Sequence, residues 1–84
     1  MKYARECSIT NEPMNEGWID EGGLGYLYFK YEKDVVKHIQ QLMEQNDKTY
    51  EWISSTDDIL EIGFKHYNIY WTEWELDRFS LEYK

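Results

Sequence analysis

Cys7, His38 and His66 are the thiol and imidazole side chains of this 84-residue chain, and zinc binding or nucleophilic catalysis is the chemistry they could do. Structural zinc takes four nitrogen or sulfur ligands at short pairwise spacings. These three stand 31 and 28 residues apart, and no two share an element, so no metal is expected. His38 falls beside Val35 and Leu42 in helical order and reads as a flank position. Cys7 reads as a small buried apolar residue, because no Cys/His motif surrounds it to activate the thiol. Glu73, Glu75 and Asp77 would line one face of a strand at intervals of about 7 Å. That spacing lies within the range of inverting glycosidases, but it means little without a cleft. No Asp-x-Asp-x-Asp-Gly loop offers converging oxygens for calcium. The run Gly22-Gly23-Leu24-Gly25 precedes a strand, whereas a phosphate loop precedes a helix. It reads as a hairpin turn, and no cofactor is expected.

What remains is acid interleaved with large aromatics. Seventeen Asp+Glu stand against nine Lys+Arg, a net charge of −8, with four Trp and eight Tyr. Five acids and no base fall between Glu6 and Phe29, and seven acids against Lys65 alone fall between Thr49 and Asp77. The bases gather instead at Lys30, Lys33 and Lys37. A strand through 70–75 places Trp71 with Glu73 and Glu75 on one face, and Tyr70, Thr72 and Trp74 on the other. Aromatic side chains are the common anchors of protein interfaces. The expected partner-binding residues are Trp71, Glu73, Trp74, Glu75 and Asp77, joined by Asp57, Asp58 and Glu61. The competing use of these aromatics is the core, since 15 Ile+Leu+Val alone make a thin one.

The acidity excludes several partners. Bare nucleic acid needs a basic stripe to displace counterions, and an anionic membrane needs basic clusters. The start Met1-Lys2-Tyr3-Ala4-Arg5-Glu6 lacks the apolar core of a signal peptide, and no apolar span reaches 18 residues. With a single cysteine there is no internal disulfide, so a soluble, cytoplasmic protein is expected. An aromatic content of 18% argues for a folded chain. Scaling laws give a folded surface of about 5,400 Å², burying about 64% of the extended chain, and a radius of gyration of about 12 Å. One domain, 1–84, follows. So small a body is expected to lack a deep pocket of several hundred Å³ and not to be an enzyme.

The elements that must position these residues follow from periodicity. Residues 7–17 are rich in turn formers and read as an ordered loop. Gly17-Trp18-Ile19 and Leu24 to Tyr31 flank Asp20-Glu21-Gly22-Gly23 as a β-hairpin, with Leu27, Phe29 and Tyr31 on one face. Val35, Val36, Ile39, Leu42 and Met43 form one stripe of period 3.6, which predicts a helix from Glu32 to Asn46 with Asn46 as its C-cap. A hydroxyl N-cap in Ser54-Ser55-Thr56, followed by Asp57 and Asp58, starts a second helix that runs towards His66 across Gly63. Asn68 to Glu75 reads as a strand, with Phe79, Leu81 and Tyr83 as its hairpin partner. The predicted fold is a small α+β domain, an antiparallel sheet of three to four strands with two helices packed on one face.

Cys7-Ser8-x-Thr10, Met14-Asn15-Glu16-Gly17-Trp18 and Tyr70-Trp71-Thr72-Glu73-Trp74-Glu75 together resemble a set of small bacterial and phage proteins. The likeness covers about a quarter of the chain. Those proteins tend to carry glycine where Asn11 or Pro13 stands here, and they have no established activity to carry over. The resemblance implies a bacterial or phage setting. Full mimicry of duplex nucleic acid would ask a 24 Å body for about 14 aligned charges, whereas covering part of a basic groove needs far fewer. The expectation is a non-enzymatic interaction protein that binds and blocks a basic host protein, for example a nucleic-acid-binding defence nuclease as anti-CRISPR proteins do. The alternative is a self-associating module, a homodimer that buries its aromatics against a symmetry mate.

Overall fold

The structure, a computed structural model, describes residues 2–23, 25–46, 55–78 and 80–82. Leu24, Ser54, Phe79 and Tyr83 lie outside the described residues. The elements run β1 (Lys2–Tyr3), β2 (Arg5–Glu6), β3 (Pro13–Met14), β4 (Glu16–Asp20), β5 (Leu27–Phe29), α1 (Glu32–Asn46), α2 (Thr56–Tyr67), β6 (Ile69–Glu73) and β7 (Leu81–Glu82). This is an α+β fold whose main sheet is antiparallel, in the order β5-β4-β6.

The apolar stripe of α1 does what its period requires: Val35, Ile39 and Met43 are buried, with Val36 and Leu42 packed at its margins. They meet Ile59 and Ile62 of α2, and Phe29 and Ile69 of the sheet. The register pairs Trp18 with both Phe29 and Trp71, and Asp20 with both Leu27 and Ile69. Directly opposed residues project to the same face, so Phe29 and Ile69 reach the helices from one side of the sheet. Gly63 falls inside α2 because the helices approach closely there. A Cβ at that position would lie 2.5 Å from Ile39 Cδ1.

Several local expectations are corrected. Ser55 is the N-cap of α2, but its hydroxyl makes no capping bond. Its carbonyl instead accepts the Ile59 N–H at 3.0 Å. Asn68 is not strand: it ends α2 in the left-handed conformation (φ 56°, ψ 43°), with its N–H bonded to the Gly63 carbonyl. The strand after it stops at Glu73, so Glu75 and Asp77 lie beyond it. β7 pairs with β1, Lys2 opposite Glu82 and Tyr3 opposite Leu81, and not with β6. The turn-rich N-terminal segment contains a second small ladder, with Arg5 opposite Met14 and Glu6 opposite Pro13. In the hairpin Phe29 is fully buried while Leu27 and Tyr31 are exposed, because β5 ends at Phe29 and α1 covers only that part of its face.

The accessible surface is 6011 Å² and the radius of gyration 13.6 Å, both above the values expected from length, because the body is elongated to 44 × 22 × 17 Å. Surface recesses of about 490 and 460 Å³ also occur. No described helix is long and apolar enough to cross a membrane.

Candidate protein-binding surface

β6 carries Trp71 and Glu73, and β4 holds it in place. Trp74 N–H donates to the Asn15 carbonyl at 2.8 Å and Glu21 N–H to the Asn68 carbonyl at 3.2 Å. With the register Glu16↔Glu73 through Asp20↔Ile69, the alternation of an antiparallel ladder makes Gly17–Thr72 and Ile19–Tyr70 the hydrogen-bonded pairs. Glu16–Glu73 and Trp18–Trp71 are then pairs of the closer, non-hydrogen-bonded kind. Two carboxylates thus stand directly opposite each other, next to two indoles. Like charges so placed are destabilising, and neither carboxylate makes an ion pair or hydrogen bond among the described residues. Trp71 is 47% exposed although it lies on the helix side of the sheet, because the helices cover the Ile69 end and stop short of it. Gly17, across from Thr72, keeps β4 close to its neighbours. With φ at +149°, a side chain there would be strained, and its Cβ would fall 2.6 Å from the Phe29 carbonyl oxygen.

Trp74 is committed elsewhere. It is half-buried, its ring meets Tyr28 edge-on at 5.6 Å, and the Arg5 guanidinium lies 5.5 Å from its centroid. Arg5 also holds Asp77, with nitrogen to oxygen distances of 3.3 and 3.2 Å to the two carboxylate oxygens. Glu75 and Leu76 are exposed. Asp57 and Asp58 occupy the first turn of α2, where the helix macrodipole favours acids. Glu61 is neutralised by Lys65 four residues on, at 2.6 Å, and that bond holds its carboxyl below the usual range. The structure therefore brings Trp71 and Glu73 together and adds Glu16 and Trp18. It assigns Trp74 and Asp77 to internal contacts and leaves Asp57, Asp58 and Glu61 on another element.

Two polar arrangements had no signature in the sequence. The buried carboxylate of Asp20 meets His38 Nε2 at 2.6 Å and accepts the Gly22 N–H at 2.8 Å, while the imidazole packs against Phe29 at 4.9 Å. Among the described residues no hydroxyl or thiol hydrogen-bonds to His38, so the pair ties α1 to β4 and does not complete a nucleophilic triad. Cys7 is fully buried and its sulfur accepts the Lys30 N–H at 3.5 Å. Burial pushes its thiol up, but the Thr10 hydroxyl and the N–H groups of Lys30, Thr10 and Ile9 together outweigh burial and hold it below the ordinary thiol value. No cluster of three or more His, Cys, Asp or Glu side chains suited to a metal occurs among the described residues.

No family model, curated protein or solved structure matches the chain. Any functional reading therefore stands on the site. Its chemistry is that of an exposed indole beside two uncompensated carboxylates on a rigid sheet. That is suited to a cation with an apolar stem, a lysine or arginine side chain.

Proposed function

We propose that this is a small acidic binding protein that docks on a basic protein surface and blocks it. The observation that carries the reading is the Glu16–Glu73 pair, opposed in register without a counter-charge, beside Trp71. Holding like charges together costs stability, and a cationic partner would recover that cost. Long-range attraction to a body of charge −8 speeds encounter, while a desolvated indole sets the lifetime of the complex. Basic grooves of this kind belong to nucleic-acid-binding proteins. Acidity, small size and a sequence without catalytic motifs support a host defence nuclease as the concrete target, in the bacterial or phage setting that the resemblance implies. The protein acts by occupancy and not by catalysis.

The test is co-purification of the tagged chain with candidate host nucleases over a salt series. The expected result is a complex that weakens steeply with salt and is lost in Trp71→Ala and Glu73→Lys. A complex indifferent to both changes, or none at low ionic strength, refutes the reading.

A further inference from the structure

The two edges of the main sheet are treated differently. Along β5 the outward groups are those of Tyr28, and the chain closes them itself. Tyr28 N–H donates to Ser8 Oγ at 2.9 Å, and the Tyr28 carbonyl accepts the Ser8 N–H at 2.8 Å. The next outward donor, Lys30 N–H, is taken by the Cys7 sulfur. Along β6 the ladder turns the N–H and carbonyl groups of Ile69, Trp71 and Glu73 away from β4. Ile69 is buried, so the outward groups that face solvent are those of Trp71 and Glu73. The Glu73 carbonyl receives the Thr72 hydroxyl at 3.3 Å, and among the described residues neither outward N–H has a partner.

Natural sheets blunt such an edge with lysine, proline or a bulge. β6 reads Ile69-Tyr70-Trp71-Thr72-Glu73 and its pairing is regular, so it has none of these. Its single charge is acidic, and the Glu16 pair reinforces it. That charge repels another acidic strand and attracts a basic one. A second copy of this chain would bring a further −8 to the same edge.

We propose that the outer edge of β6 is a strand-addition site, which takes an extended lysine- or arginine-bearing segment of a partner protein as a fourth strand of the sheet. This rests on the acidic, aromatic surface proposed above and specifies how the partner is held. Main-chain bonds to Trp71 and Glu73 fix the segment, and alternate side chains then project to the face of Trp71 and Glu73. There a cationic head meets the two carboxylates and its aliphatic stem crosses the indole.

The probe is an acetylated, amidated heptapeptide, Lys-Thr-Lys-Val-Lys-Thr-Lys, at about 20 mM salt where screening is weak. It is compared with a copy N-methylated at alternate residues, which keeps the charge and loses the donors. Amide exchange by NMR should slow at Trp71 and Glu73 by at least about tenfold on binding, while Tyr70 and Thr72, already bonded to β4, change little. The methylated copy should bind at least about tenfold more weakly. Glu73→Gln keeps the edge N–H, whereas Glu73→Pro removes it at a position where an edge strand tolerates proline. The second change should weaken binding further than the first.

Equal binding of the two peptides, with loss in Glu73→Gln, overturns strand addition and leaves the acidic surface standing. Binding of the unmodified peptide that is indifferent to Trp71→Ala and Glu73→Gln overturns both. Absence of binding overturns strand addition, and the co-purification then decides the surface alone. Protection of Trp71 and Glu73 that grows with protein concentration, without peptide, assigns the edge to a second copy and also overturns the proposal.

Discussion

Reversing the charge of Glu73 tests whether the acid pair on the sheet is under electrostatic tension. Glu73 stands directly opposite Glu16, in the type of pair whose Cβ atoms approach to about 4.5–5.5 Å. Two unit charges about 5.5 Å apart in water repel by about 0.75 kcal/mol. A Debye length of about 8 Å at physiological salt roughly halves this, to about 0.4 kcal/mol. Glu73→Lys or Glu16→Lys alone turns the repulsion into an attraction of similar size, so each is expected to stabilise the fold by about 0.8 kcal/mol. The double reversal restores like charges and returns the gain, which makes the coupling between the sites about 1.5 kcal/mol. Urea unfolding measures it, because an ionic denaturant would screen the effect. In about 1 M salt, where the Debye length is about 3 Å, the coupling should fall to about 0.5 kcal/mol. A coupling within about 0.3 kcal/mol of zero at physiological salt is ordinary additivity. It would mean that the carboxylates do not confront each other, and the case for a cationic partner would lose its main support.

Gly63→Ala sets a gain in helix propensity of about 1 kcal/mol against a Cβ placed 2.5 Å from Ile39 Cδ1. Overpacking costs about 1–3 kcal/mol, so net destabilisation is expected in thermal unfolding, relieved when Ile39→Val removes the opposing methyl; a more stable Gly63→Ala variant refutes this packing. Glu12 accepts the Tyr31 hydroxyl at 2.7 Å and the Lys30 ammonium at 3.3 Å, which hold its carboxyl below its ordinary 4.5. Its contribution to stability is therefore complete above that value and lost as pH falls through the lowered one. The same bond raises the Tyr31 hydroxyl above 10.0, so its contribution is complete below that value and lost as pH rises through the raised one. Glu12→Gln should remove the acid limb of the stability–pH profile and flatten the alkaline one, whereas Tyr31→Phe should remove the alkaline limb and flatten the acid limb only in part, because Lys30 still holds Glu12; unchanged limbs would contradict the pairing.

Periodicity exposed the elements that bury one face over several turns. Val35, Ile39 and Met43 lie 3.6-periodically on α1 and all enter the core, and α1 spans Glu32–Asn46 as its stripe implies. The hairpin of β4 and β5 was equally plain, because glycines separate Gly17-Trp18-Ile19 from the aromatic run that ends at Tyr31. What escaped depends on contacts distant in sequence. β1 and β7 hold two residues each, too few to show alternation, and they join opposite ends of the chain. Arg5 meets Asp77 across 72 residues, and Asp20 meets His38 across 18. Asn68 sits in a run of strand-forming residues, but as the αL terminator of α2 it answers to the helix before it. Trp71 and Glu73 were visible as a face. The role of Glu16 was not, since only register places it across from Glu73.

A net charge says little about a surface until it is known which acids are already held. Glu12 is held by Lys30 and Tyr31, Asp20 by His38, Glu21 by the Tyr70 hydroxyl, Glu61 by Lys65 and Asp77 by Arg5. Those contacts are internal and close over the protein's own structure. Asp57 and Asp58 lie at a helix N-terminus that favours them in any soluble domain. Glu16 and Glu73 are different, because the sheet forces them together and gives them nothing to hold. The strand that carries Glu73 has an outer edge that is unbonded among the described residues, whereas its counterpart, β5, is closed by Ser8 and Cys7. The like-charge pair and the open strand edge thus meet at Glu73. A single basic strand would answer both, whereas a cation alone would meet only the charges and a neutral strand alone only the edge.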